Sequence, residues 1–97
     1  GREEVSNQDF LGIVLDYDEK TSYVTIEQRN YFKMGDTVEF FGPNIETITF
    51  KIDNILDEQG NIIDIVRHPK QVVKIKLPFM LYKNDMMRMK HWFLVDK

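Results

Sequence analysis

Cysteine is absent from this sequence of 97 residues. That excludes disulfides, a thiolate zinc site, an iron–sulfur cluster and a cysteine nucleophile within the chain. It also fits a reducing compartment. Histidine is scarce: His68 and His91 stand alone, without the spacing of a metal-ligand pair. The serines are Ser6, in a polar leading segment, and Ser22, beside a turn, and neither sits in a nucleophile elbow. The glycines are dispersed and form no phosphate-cradling loop. No apolar run approaches the roughly 20 residues that span a bilayer. The start, Gly1-Arg2-Glu3-Glu4, is too polar for a secretory signal. The acidic pairs Asp16/Asp18 and Asp57/Glu58 fall in turns and read as solvated loop charge, not as a calcium site. These absences lead us to expect no catalytic residue, no metal, no cofactor and no membrane contact, in a cytoplasmic protein.

What is present is period-two alternation in short runs punctuated by turns. Residues 10–15 read as a first strand, and Tyr23 to Gln28 alternates cleanly with Val24, Ile26 and Gln28 on one face. Residues 37–41 follow the Gly35-Asp36 turn, and Gly42-Pro43-Asn44 ends them because proline cannot donate to a ladder. Residues 47–52 point Ile48, Phe50 and Ile52 inward. Residues 62–66 form a short strand stopped by Arg67-His68-Pro69. Residues 71–77 put Val73, Ile75 and Leu77 in and Lys74 and Lys76 out. Residues 86–89 read as a last strand in preference to a helix capped by Asp85. The fold class is therefore all-β. A small closed or nearly closed β-barrel is expected, because closure removes exposed edges. The domain is expected over residues 9–90, with 1–8 a linker or tag remnant on an excised domain and 91–97 a C-terminal tail.

Net charge is -3, which argues against wholesale nucleic-acid binding and against DNA. The distribution is uneven. Residues 1–66 hold 14 acidic against 5 basic side chains, whereas 67–97 hold 8 basic against 2 acidic. Such asymmetry marks a polyanion-facing surface if the charges are gathered, or nothing if strands from the two halves interleave. Arg67-His68-Pro69-Lys70 reads either as a structural corner or as a phosphate-binding one, since an arginine fork suits bidentate phosphate contacts. Gln28-Arg29-Asn30 is a similar case. Lys74 and Lys76 share a strand face, and Arg88 follows on the last strand. The candidate RNA or phosphate contacts are thus Arg29, Arg67, His68, Lys70, Lys74, Lys76 and Arg88. Among the aromatics, Tyr31 has the basic neighbours, Arg29 and Lys33, that a base-stacking platform needs.

Three segments read together carry a resemblance: residues 27–43 with Gln28-Arg29-Asn30 and Gly35-Asp36, residues 57–76 around Arg67-His68-Pro69, and Asn84-Asp85-Met86-Met87-Arg88. In this order and spacing they resemble the C-terminal domain of peptidase family U32, the collagenase-like peptidases. Val66 stands where that pattern usually has alanine. The resemblance covers roughly residues 8–90. It implies a β-barrel like those of translation elongation factors, and a parent enzyme whose N-terminal catalytic domain carries the family's cysteine-containing signature. It also implies either proteolysis or hydroxylation of tRNA or ribosomal RNA by that parent. No family catalytic residue maps onto this chain. Two functions follow as expectations. One is a non-catalytic accessory domain that docks RNA. The other is a protein-interaction or lid module packing on the catalytic domain or a protein partner, through apolar residues such as Trp92-Phe93-Leu94-Val95.

Overall fold

A computed structural model describes residues 1–96. Among the described residues eight strands follow one another: β1 (Arg2–Asp18), β2 (Tyr23–Gln28), β3 (Phe32–Lys33), β4 (Thr37–Gly42), β5 (Ile45–Lys51), β6 (Ile65–Val66), β7 (Val72–Lys76) and β8 (Met86–Asp96). Six of them form one antiparallel sheet in the order β5-β4-β8-β1-β2-β7, and β3 pairs with β6 beside it. No helix among the described residues is long and apolar enough to cross a membrane.

Inward positions of the alternating runs build the core. Leu11 and Val14 come from β1, Val24 and Ile26 from β2, Val38 and Phe40 from β4, Val73 and Ile75 from β7, and Met87 from β8. Phe32 and Val66 close it from the small sheet. Gly12 lets β1 and β2 approach closely: a Cβ there would lie 2.8 Å from the Ile26 methyl and 2.9 Å from the Glu27 carbonyl oxygen. Ile48 and Phe50, expected inside, are half-buried. Their strand, β5, ends the sheet, so it has a packed neighbour on one side only. Phe50 still meets Phe40 and Phe79, with ring centroids 6.5 and 5.8 Å away.

The expected closure does not occur. The main sheet curls into a half-barrel whose end strands, β5 and β7, share no ladder. The chain leaving β5 touches β7 at single points instead. Leu56 makes an isolated bridge to Lys74. The Asn54 side chain accepts from the Lys76 N–H at 2.6 Å and donates to the Lys76 carbonyl at 3.0 Å. An amide side chain carries one donor and one acceptor group, as a peptide does, so Asn54 caps the β7 edge in place of a strand.

Residues 2–10 of β1 pair with 88–96 of β8, so residues 2–8, expected as linker, and 91–96 of the expected tail form a two-stranded ribbon that extends the sheet; Lys97 of that tail lies outside the described residues. Trp92, at 61% exposure, Phe93 and Leu94 are exposed on the ribbon.

Candidate nucleic-acid interface

The end of β2 meets the corner before β7 through one buried polar residue. Gln28 is 3% exposed. Its main-chain N–H donates to the Gln71 carbonyl at 2.8 Å, and its carbonyl accepts from the Lys70 N–H at 3.1 Å. Its side-chain amide donates to the Val66 carbonyl at 3.4 Å, a long bond. A glutamine in an inward position of an alternating strand thereby ties segment 28–30 to segment 66–71. These bonds bring together the segment that carries Arg29 and the one that carries Arg67, His68 and Lys70.

The corner itself is a tight turn. The Gln71 N–H donates to the His68 carbonyl at 3.0 Å, with Pro69 and Lys70 between them. Lys70 has φ 60°. Proline second and a positive φ third define a type II turn, whose third position suits glycine. A lysine there carries backbone strain on the order of 1 kcal/mol. The Gln71 side-chain oxygen accepts from the His68 N–H at 3.2 Å and steadies the turn.

Tyr31 does not join this corner: it lines a separate groove with Asp9, Asn30, Lys33, Met89 and His91. Phe32 pairs with Val66 and Lys33 with Ile65. Phe32 and Val66 point into the core, which turns Tyr31, Lys33, Ile65 and Arg67 outward. Tyr31 is exposed. Beyond β6 the outer face sinks into a depression of about 570 Å³ lined by Ile62, Ile63, Asp64, Ile65, Arg67, His68 and Gln71.

The candidate cations differ in what already holds them. The Arg67, His68 and Lys70 side chains have no ion pair or hydrogen bond among the described residues. Arg29 Nε donates to Glu27 Oε1 at 2.9 Å, an exposed pair. Lys74 and Lys76 point outward on β7, but Lys74 shares a groove with Asp16, Asp18, Asp57 and Glu58. Arg88 lies on β8, separated from β7 by β1 and β2. Its guanidinium donates to Glu39 at 2.9 Å and covers the Phe41 ring at 4.2 Å. The hydrogen bond from Arg88 holds the Glu39 carboxyl below its ordinary value, with help from Lys90. The seven candidates thus divide into a corner of four, a pair on β7 beside acids, and one arginine engaged within the fold. Sequence reading did not single out Gln71 or Ile62. Gln71 had no distinguishing signal, and Ile62 read as one of a strand's apolar residues.

Residues 6–88 match the peptidase family U32 C-terminal domain. The chain is 58% identical over 80 residues to tRNA hydroxylation protein P1 of Bacillus subtilis (strain 168), covering 82% of this chain and 19% of that protein. It therefore spans about a fifth of that relative's length. Crystal structures of the C-terminal domain of a Geobacillus thermoleovorans chain described as a U32 peptidase have the same fold. One, a selenomethionine variant, is 51% identical with a TM-score of 0.80, covering 82% of this chain and 98% of that one. The other is 49% identical with a TM-score of 0.80, covering 86% and 92%. By sequence and by fold, this chain belongs to the peptidase family U32 C-terminal domain family.

Proposed function

We propose that this chain is a non-catalytic accessory domain of a larger U32 enzyme, and that it docks that enzyme's RNA substrate in the cytoplasm, tRNA before ribosomal RNA. The observation that carries the reading is the corner at Arg67-His68-Pro69-Lys70. Three cationic or titratable side chains sit there without a partner among the described residues, and the Lys70 N–H bond to the Gln28 carbonyl brings the Arg29 segment beside them. Cations left free and gathered are what an acidic domain needs to neutralise phosphates. Lys70 adds a second support. A strained backbone position that glycine would suit is filled by a lysine, as expected where the side chain is needed. The name of the Bacillus subtilis relative points to tRNA. Lys74 and Lys76 extend the track along β7, and Arg88 is a marginal contact because Glu39 already neutralises it. Reversing charge in Arg67→Glu/Lys70→Glu should weaken tRNA binding at least about ten-fold at low salt. Unchanged binding would remove the corner from the function.

A second reading has its own observation. Trp92, Phe93 and Leu94 lie exposed on the β1–β8 ribbon, and such a patch fits packing on the parent's catalytic domain as a lid. If so, Trp92→Asp in the parent enzyme should expose the domain junction to limited proteolysis, while leaving tRNA binding by this chain intact.

A further inference from the structure

We infer that the depression beside Arg67 is a pocket for one unpaired RNA base, so that this domain prefers single-stranded or loop RNA to duplex. The inference rests on the RNA-docking reading and adds to it a class of substrate and new residues: Ile62, Asp64 and Gln71. Ile62 is 87% exposed at the edge of the depression. Single exposed apolar residues are ordinary on protein surfaces. This one is different in its setting. It stands at the closing pair of the Asp57–Asn61 turn, bridged to Leu56, so its backbone is fixed. It shares the depression with Arg67 and His68.

The polar groups sort by charge. Asp64 lines the same depression, so a phosphate inside would meet a carboxylate. The phosphate therefore belongs at the rim, with Arg67 and Lys70, and the inside suits a neutral group with N–H donors. A base edge is such a group, and Asp64 can accept from its amino or imino hydrogens. Gln71 supplies the converse. Its side-chain oxygen is taken by the His68 N–H, which leaves its amide nitrogen as a donor to a base carbonyl or ring nitrogen. Ile62 and Ile65 offer apolar surface to the base faces. A duplex keeps its bases stacked inward and cannot fill the depression, whereas recognition of splayed bases is the usual mode for single-stranded RNA.

The test compares an oligoadenylate single strand with a blunt RNA duplex carrying the same number of phosphates, using this chain and its Ile62→Ala and Ile62→Phe variants. The exposure of Ile62 leaves the fold indifferent to either change. Wild type should bind the single strand more tightly. Ile62→Ala should weaken that binding about five-fold and leave duplex binding unchanged. Ile62→Phe should strengthen it by offering a ring to stack on. Equal binding of both RNAs, unmoved by the Ile62 variants but weakened by Arg67→Glu/Lys70→Glu, would overturn the base pocket and leave phosphate docking standing. Binding of neither RNA would overturn both.

Discussion

Lys70 concentrates the tension between stability and function in a single residue. Its φ of 60° is one that glycine adopts freely. Replacing it with glycine relieves the strain but adds backbone entropy to the unfolded chain, and the two effects nearly cancel. Lys70→Gly should keep stability within about 1 kcal/mol of wild type in urea denaturation, while tRNA affinity falls. A large loss of stability would mean that the lysine serves the fold. Glu39 shows the opposite case, a charge committed to structure. Its carboxyl is lowered by the hydrogen bond from Arg88. A lowered folded-state value stabilises the protein above the range where an ordinary glutamate titrates, and the gain is lost as pH falls through and below that range. Glu39→Gln should accordingly flatten the acid limb of the stability–pH profile, measured by denaturant midpoints from neutral pH downward. An unchanged acid limb would show that the pair contributes nothing.

At the scale of elements, most strands were readable because alternation and turn residues coincide. Tyr23–Gln28 appears as read and the 37–41 run appears one residue longer, as Thr37–Gly42, with Ser22, Gly35 and Pro43 bounding them. The strand read over residues 62–66 is only Ile65–Val66, and the Phe32–Lys33 strand was not read at all. Two further features escaped for physical reasons. Period two reports which side chains share a face, not how many neighbours a strand has, so Ile48 and Phe50 read as core although β5 ends the sheet. Sheet closure depends on contacts between segments far apart in the chain, and here the Asn54 side chain takes the place of a ladder. The distinction between central and end strands predicts a graded response. Phe40, fully buried on β4, should cost about 3–5 kcal/mol when replaced by alanine. Phe50→Ala should cost clearly less, about 1–3 kcal/mol, because the residue is only half-buried. Equal losses in thermal or chemical denaturation would place both residues in one closed core.

For the whole molecule, net charge hides the relevant pattern. The basic last third was legible in the sequence, but its gathering was not, because strands from both halves interleave: β7 lies beside β2, and β8 between β1 and β4. Interleaving disperses Arg88 into a pair with Glu39 and brings Lys74 beside four acidic residues. The corner escapes it because Gln28 binds two loops into one surface. The measurement that bears most directly on the central claim is the salt dependence of tRNA affinity for wild type, Arg67→Glu/Lys70→Glu and Lys74→Glu/Lys76→Glu. Each phosphate contact contributes roughly 0.7–0.9 to the slope of log affinity against log salt. The corner variant should lose about 1.4–1.8 from that slope, and more than the β7 variant does. Equal slopes and equal affinities for all three proteins would contradict RNA docking at this corner and leave the exposed ribbon as the functional surface.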